Sequence, residues 1–320
     1  MTVHSKPVDA ARANAAPPKR PALPGGRTIG QVRLRDRALF LGPAVTALAL
    51  IGIGPLLFAL WVSFRDYNLL KLRQEKFVGF ENYVTAFTDP AFLEALGRTF
   101  LLLAIALPIQ IALGLGIALI LHRPGLGFFK TLTRLSLVMP MATTYAVVGL
   151  LGQVMFNIKY GVVNQLLGFV GIGPIDWIGD PQWAFATIVF WDVWQWTPFC
   201  ALVLLAGLST VPGEIEEAAR LETKSWFTVL RYVQLPFLLP GLTALLILRT
   251  ADVLKLFDMP FTLTRGGPGT STEFISLLIQ RLGFRTFDIG YASAQAIILL
   301  VVTIVLSRLY IRLVYREVQS

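Results

Sequence analysis

The amino-acid sequence predicts an all-α, polytopic membrane protein with six transmembrane helices. Of its 320 residues, 55% are hydrophobic and only 15% are charged, whereas soluble domains carry about 25% charged residues. The mean hydropathy is +0.66. The apolar residues also fall into runs of about 20, the length that a helix needs to cross a bilayer. Runs this long and uniform do not fit the alternating strands of a membrane β-barrel.

The six predicted spans have approximate bounds, set by where the apolar runs end. They are 38–64, 98–121, 135–156, 183–208, 236–260 and 289–311. The third and fifth windows are the weaker ones, and the fifth contains Arg249, Asp252 and Lys255. We expect helices because a backbone in lipid must satisfy its own hydrogen bonds.

The basic residues predict the orientation of the spans. With the N-terminus inside, 17 of the 28 Lys and Arg residues lie in inner segments and 9 in outer segments, as the positive-inside rule requires. Both termini are then cytoplasmic. The net charge of +9 is explained mostly by this topology, so we expect membrane lipid and no nucleic acid as a partner.

The composition of the N-terminal residues predicts the domain organisation, and the low Cys and His counts argue against disulfide and metal sites. Residues 1–36 are rich in Pro, Ala, Gly and basic residues and are predicted to form a disordered cytoplasmic tail. Residues 37–316 form the predicted membrane domain. With one cysteine and two histidines in the chain, we expect no internal disulfide, no metal site and no cofactor.

A polar segment at residues 209–236 separates the fourth and fifth spans. Pro212 suits a helix start, and the acidic residues that follow suit the first helical turn. A turn over 223–225, with Ser225 as a cap, leads into a second amphipathic stretch that ends at Pro236. A polar helix–turn–helix at a membrane surface suits the docking of a soluble partner. An ordinary inner loop with a surface helix is the simpler alternative.

This segment resembles the EAA loop of ABC-importer permeases. The matching residues are Glu217, Ala218, Ala219, Glu222, Leu235, Pro236 and Pro240. Thr223 stands where the family usually has glycine. The resemblance implies a cytoplasmic coupling helix that docks on an ATPase subunit, with Glu217 facing that subunit and Trp226 and Phe227 packing the loop. The ATPase-coupling residues implied in this way are Glu217, Ala218, Ala219, Glu222, Thr223, Trp226 and Phe227.

A second motif, over residues 261–272, resembles the Gly-Gly-Pro loop of carbohydrate importers. It lies in a predicted external loop, about 261–288, and is accompanied by the segment Trp194–Phe199. Together they resemble the first permease of the maltose and glycerol-phosphate type. The resemblance implies a second homologous permease, two ATPase subunits, an extracytoplasmic solute-binding protein and a bacterial inner membrane. It also implies a non-catalytic chain, with ATP and Mg bound by the partner ATPase. No phosphate-binding Gly-Lys-Ser/Thr loop occurs in the sequence.

Two polar stripes in the spans predict a solute site. Asp192, Gln195, Trp196 and Phe199 follow i, i+3, i+4, i+7 spacing, which places them on one helix face. Arg249 and Asp252 are charged and lie in the fifth span, where Lys255 and Asp258 continue a stripe of alternating charge. Polar groups in a membrane usually face a cavity or a partner. Helix–helix packing and mutual charge neutralisation are the structural alternatives.

Other function classes remain open at this point. An ABC importer for another solute class would keep the EAA loop. A proton-coupled carrier would use Asp192 and Asp252 as proton sites, and a structural scaffold would leave the charges of the fifth span unexplained. Under the importer hypothesis, Glu217→Lys is predicted to leave insertion intact and release or uncouple the ATPase. Asp192→Ala is predicted to impair uptake with assembly preserved.

Overall fold

The computed structural model describes residues 34–71, 75–123, 125 and 127–318, and most of this part of the chain is helical. The helices are α1 (Leu34–Val62), α2 (Glu81–Thr88), α3 (Pro90–His122), α4 (Gly127–Ala142), α5 (Tyr145–Met155), α6 (Val162–Phe169), α7 (Pro181–Leu208), α8 (Gly213–Glu222), α9 (Trp226–Val229), α10 (Leu235–Leu254), α11 (Asp258–Leu263), α12 (Ile275–Phe284) and α13 (Ile289–Val318). A π-helical turn spans Leu230–Gln234. Two short strands, β1 (Arg65–Asp66) and β2 (Lys76–Phe77), pair antiparallel.

The chain divides into two units, residues 1–55 and 56–320. The described part of the first unit is the beginning of α1, whose apolar side chains, such as Leu48 and Ile51, are exposed. The predicted tail, residues 1–36, lies outside the described residues except for its last three, which belong to α1. The second unit contains the other helices and the buried core.

Among the described residues, five helices are long and apolar enough to cross a membrane, or six if the bent pair α4–α5 is one span. The third predicted window is therefore not a single straight helix, because the chain bends by 94° between Ala142 and Tyr145. Pro140 precedes the bend, and Thr144 has the extended angles φ −70° and ψ 148°. The other five windows correspond to α1, α3, α7, α10 and α13.

Helix α3 is longer than the apolar window that predicts it. It begins at Pro90 and has 33 residues, or about 50 Å at 1.5 Å per residue. The Asp89 side chain accepts a hydrogen bond from the backbone N–H of Ala91, and the proline occupies the first turn, so the start follows ordinary capping chemistry. The residues from Pro90 to Gly97 thus extend the span, and α2 is a separate short helix that precedes it.

The core of the second unit forms where α3 and α7 lie side by side. A methyl group added at Gly114 would lie 2.8 Å from Cys200 Cβ and 2.9 Å from the backbone nitrogen of Ala201. Small residues of this kind allow close helix approach in membranes. Cys200 itself is fully buried. The largest apolar cluster includes Leu102, Ile188, Trp191 and Met259.

The fifth span differs from its prediction at its beginning. The amphipathic stretch from Trp226 does not end at Pro236; it continues through the π turn into α10. A proline removes the hydrogen bond to the carbonyl four residues earlier. For Pro236 that carbonyl belongs to Tyr232, which lies in the π turn. Backbone hydrogen bonds in a π turn join residues five apart and not four, so the helix continues past the proline.

The Gly-Gly-Pro segment lies at the end of α3 opposite to α8. Gly266 has φ +90° and Gly269 φ +59°, backbone angles that glycine adopts without strain. The Thr272 hydroxyl donates to the Gly267 carbonyl at 2.7 Å. Arg98, near the start of α3, donates to the Thr270 hydroxyl at 3.2 Å. The segment also includes helix α12, which the sequence pattern did not predict.

Candidate functional site

The first candidate site is a buried polar cluster, formed by Gln110 of α3, Asp192 of α7 and Arg249 of α10. Arg249 Nη2 donates to Asp192 Oδ1 at 3.0 Å and to Oδ2 at 2.8 Å, and Arg249 Nε donates to Gln110 Oε1 at 3.0 Å. The Gln110 amide donates to Asp192 Oδ2 at 2.7 Å and to the Asp192 carbonyl at 3.1 Å. All three residues are fully buried. The polar cluster therefore joins three helices through a closed, charge-compensated network.

The charges of α10 continue outward from the polar cluster. Arg249 Nη1 lies 3.9 Å from Asp252 Oδ2, and Asp252 Oδ1 lies 3.0 Å from Lys255 Nζ. The predicted neutralisation along this stripe is confirmed for these three residues. Asp258 lies beyond the end of α10, at the start of α11, and does not continue the row.

An aromatic wall lies beside the polar cluster. The Arg249 guanidinium carbon lies 4.6 Å from the centre of the Trp196 ring, within the range of a cation–π interaction. The Trp196 ring lies 5.9 Å from the Tyr145 ring and 5.8 Å from the Phe199 ring. Gln195 instead donates to the Thr143 carbonyl at 2.7 Å, which ties α7 to the α4–α5 bend.

Several buried polar atoms at this wall make no hydrogen bond within the described part of the chain. They are Tyr145 Oη, Gln195 Oε1, Trp196 Nε1 and Arg249 Nη1. Of these, Tyr145 and Arg249 interact electrostatically with each other, and Arg249 Nη1 lies 3.9 Å from Asp252 Oδ2. Buried polar atoms are usually hydrogen-bonded, so each such atom calls for an explanation. Donors and acceptors beside aromatic faces are suited to a hydroxyl-rich ligand, which offers hydroxyl groups and an apolar ring face.

The structure thus brings together Asp192, Trp196, Arg249 and Asp252 of the predicted site. Phe199 contacts Trp196. The amide nitrogen of Gln195 instead donates to Thr143, between α4 and α5. Sequence reasoning left Gln110 without a role and overlooked Tyr145. An amide in an apolar run was a usable signal for Gln110, whereas Tyr145 lies beside a helix bend that hydropathy does not show.

The second candidate site is the docking segment, residues 209–236, which contains α8, α9 and the π turn. Leu221, Trp226 and Phe227 are 90%, 68% and 59% exposed, and Glu217 and Glu222 are also exposed. The predicted helix–turn–helix is present. Its Ser225 cap accepts from the backbone N–H of Thr228 at 3.4 Å. Such exposed apolar side chains are typical of a binding surface.

The backbone angles of Thr223 explain why this position does not need glycine. Its backbone has φ −139° and ψ 139°, which is the extended region that any residue adopts. The turn between α8 and α9 therefore does not need a left-handed residue. Ala218 and Ala219 lie in α8, with the Ala219 carbonyl accepting from the Thr223 N–H at 3.0 Å.

One acidic residue of α8 faces inward. Glu216 accepts from Arg220 at 2.6 Å and from Gln234 at 3.3 Å, and lies 3.2 Å from His122 Nε2. Burial opposes ionisation of this carboxyl, but the hydrogen bonds and charges of Arg220 and His122 outweigh it and lower its pKa below 4.5. Beside it a groove of about 730 Å³ is lined by α3, α8 and α9. Sequence reasoning did not single out Glu216.

Long apolar helices that enclose a charge cluster, with an exposed polar helix at one end, define a polytopic membrane transport protein. The comparisons agree. A family model described as "Binding-protein-dependent transport system inner membrane component" matches residues 92–319. The chain belongs to this family, which confirms the resemblance to ABC-importer permeases. It is accordingly a membrane subunit of a transport system.

Several curated relatives match most of the chain. The sulfoquinovosyl glycerol transport system permease SmoG of Agrobacterium fabrum is 36% identical over 276 residues, covering 86% of this chain and 89% of the relative. The trehalose/maltose permease MalF of Thermococcus litoralis is 35% identical, with 84% and 89% covered. The lactose permease LacF of Rhizobium radiobacter is 31% identical, with 84% and 90% covered.

Solved structures support the fold. A chain of a bacterial ABC transporter involved in the import of the acidic polysaccharide alginate has a TM-score of 0.76 at 21% identity, covering 88% of this chain and 96% of that one. A second alginate transporter structure, in complex with a periplasmic protein bound to an alginate pentasaccharide, has a TM-score of 0.74 at 21% identity, with 86% and 93% covered. The all-α, multi-span fold is confirmed.

Proposed function

We propose that this chain forms part of the translocation pathway for a sugar or sugar-like solute in an ATP-driven importer. The observation that carries the proposal is the match to permeases named for sugar-bearing solutes, which extends over 84–86% of the chain in the three relatives above. The aromatic wall with its unpartnered polar atoms supports the same class of solute. Trp196 supplies a ring face, and Tyr145, Gln195 and Arg249 supply donors and an acceptor.

The charges around the site favour a neutral solute. Arg249 is paired with Asp192, and Lys255 with Asp252, so two positive groups are balanced by two negative ones. Among the described residues of this site, Arg249 and Lys255 are both paired with aspartates, so an anionic solute would meet no uncompensated positive charge from them. We therefore place neutral saccharides, polyols and glycosides ahead of sugar phosphates and sulfonated sugars.

The partners follow from the docking segment and the family. In this proposal Leu221, Trp226 and Phe227 pack against an ATPase subunit that binds ATP and Mg, and Glu217 faces that subunit. A second permease completes the pathway, two ATPase copies drive it, and an extracytoplasmic solute-binding protein delivers solute to the opposite end. The docking end is then cytoplasmic, both termini lie on that side, and the membrane is a bacterial inner membrane.

A proton-coupled carrier fits the polar cluster less well. Asp192 accepts hydrogen bonds from both Arg249 and Gln110, so both of its carboxylate oxygens already have partners in this chain. The side chain of Asp252 is one-quarter exposed and is paired with Lys255. Each carboxylate thus has a cationic partner within the chain, whereas a carrier needs a carboxylate that is free to exchange its proton. An importer for another solute class remains the alternative that keeps the docking segment.

The test is purification of the chain in detergent after expression with its neighbouring genes. We expect a second permease and an ATPase to co-purify, with ATP hydrolysis that rises only when a solute-loaded binding protein is added. A panel of neutral sugars, polyols, sugar phosphates and sulfonated sugars then names the solute class. A chain that purifies alone and moves solute into ATP-free vesicles would overturn the proposal.

A further inference from the structure

Glu216 contacts three separate segments at the docking end of the protein. It lies on α8, bonds Arg220 on the same helix, and reaches His122 in the last turn of α3 and Gln234 at the end of the π turn. Its side chain is only 12% exposed, whereas its neighbour Glu217 faces outward. One carboxylate therefore ties the docking helix to the end of α3 and to the π turn that leads into α10.

The two spans that Glu216 contacts are the same two that meet Asp192 in the polar cluster. Gln110 lies 12 residues from His122 on the uninterrupted helix α3, or about 18 Å at 1.5 Å per residue. Arg249 lies 15 residues beyond Gln234, or about 22 Å, along α10. Each helix thus has one end at Glu216 and its middle at the polar cluster.

From this arrangement we infer that Glu216 transmits movement of the docking helix to α3 and α10. It is a positioning residue, because it acts through His122 and Gln234 and not by touching the solute or the ATPase. When α8 shifts, the bonded carboxylate pulls both helix ends together, and Gln110 and Arg249 move against Asp192. A measured interaction between Glu216 and the residues that it contacts therefore tests the inference directly.

The test uses the assembled importer in proteoliposomes, with solute uptake and ATP hydrolysis measured on the same sample. In Glu216→Ala we expect the ATPase to co-purify at the native level and hydrolysis to stay within twofold, while solute moved per ATP falls at least tenfold. Glu216→Gln, which keeps the side-chain length and hydrogen bonding, should recover part of this ratio. Glu81 is the control: it is an exposed glutamate on α2, outside both candidate sites, with no ion-pair partner among the described residues, so Glu81→Ala should keep the native ratio.

A double-mutant cycle with His122 supplies the coupling evidence. If Glu216 acts through His122, Glu216→Ala/His122→Ala should lose no more transport per ATP than the larger single loss. Additive losses, or a native ratio in both Glu216→Ala and Glu216→Gln, would overturn the inference. Loss of ATPase binding in Glu216→Gln would also overturn it, because Glu216 would then belong to the docking surface. The inference rests on the proposed function, whose own failure is distinct: the unmodified chain would not co-purify with an ATPase at all.

Discussion

The polar cluster and the docking segment differ in where they place their side chains: the first buries charged groups, and the second exposes large apolar ones. In the polar cluster, Asp192 is fully buried and accepts from partners on two other helices of its own chain. In the docking segment, Leu221 and Trp226 are large apolar side chains left 90% and 68% exposed. The polar cluster is held by contacts within this chain, whereas the large side chains of the docking segment have few contacts within it. Under the proposed function, the first region holds the permease together and the second binds the ATPase.

The largest expected effect comes from breaking the polar cluster on one side. Asp192→Ala leaves the Arg249 charge buried without its partner, which costs about 3–5 kcal/mol. We therefore expect loss of folded protein as well as of uptake, in contrast to the sequence-based expectation that assembly would be preserved. The measurement is the yield and thermal unfolding of the detergent-purified chain.

The double variant Asp192→Leu/Arg249→Met separates folding from transport. Replacing a buried pair by apolar residues is often neutral, so folded protein should return while uptake stays lost. Normal uptake by Asp192→Ala would refute a transport role for the polar cluster.

The next effect concerns the docking segment. Trp226→Ala removes an exposed aromatic anchor, a residue type whose truncation at interfaces costs about 2–4 kcal/mol. We expect at least a tenfold loss of ATPase binding and no change in membrane insertion or thermal stability. Glu217→Lys should act in the same direction. Co-purification at the native level in both variants would show that this face does not dock the ATPase.

A smaller effect tests the helix contact that supports the polar cluster. Gly114→Ala places a methyl group against the Ala201 backbone, and overpacking of this kind costs about 1–3 kcal/mol. Gly116 is the matched control, because a methyl group there meets nothing within 4 Å. The melting temperature should be lower than native for Gly114→Ala and should not be lowered for Gly116→Ala. Equal behaviour of the two variants would contradict the close packing of α3 on α7.

The smallest expected effect is a pH dependence of the protein's stability, caused by Glu216 on the inward side of α8. The pKa of Glu216 is lowered in the folded protein, so its stabilising contribution is present above pH 4.5 and is lost as the pH falls through the lowered pKa. Glu216→Gln lacks this titration. Between pH 7 and pH 4, the melting temperature of the native chain should therefore fall further than that of the variant. The same decline in both would assign the acid sensitivity to other groups.

Hydropathy predicts the spans because burial in lipid selects apolar side chains along whole helices. Five of the six windows each contain one long helix, but hydropathy did not show the break between α4 and α5. The break results from the extended backbone angles of Thr144. The hydropathy of the residues on either side of it is similar, so a hydropathy window does not show it. It also placed the start of α3 too late, because Asp89 and Pro90 define that start by capping and not by hydropathy.

The candidate site was predictable only in part, for a physical reason. Spacing within a single span shows which residues share a helix face. It therefore grouped Asp192, Gln195, Trp196 and Phe199. The bond from Arg249 to Asp192 joins residues 57 positions apart, and no spacing rule within one helix reports such a pair. Glu216 was hidden among several acidic residues of α8, because only the position of His122 in space distinguishes it from Glu217.

The tight contact at Gly114 has a practical consequence for experiments. The thiol on the other side of that contact, Cys200, is the single cysteine of the 320-residue chain and is 0% exposed. A water-soluble maleimide therefore has no native thiol to reach on the folded protein. New cysteines introduced on α8 or near the Gly-Gly-Pro turn would carry dyes or spin labels at chosen sites. Distances across the membrane could then be recorded without first replacing the native cysteine.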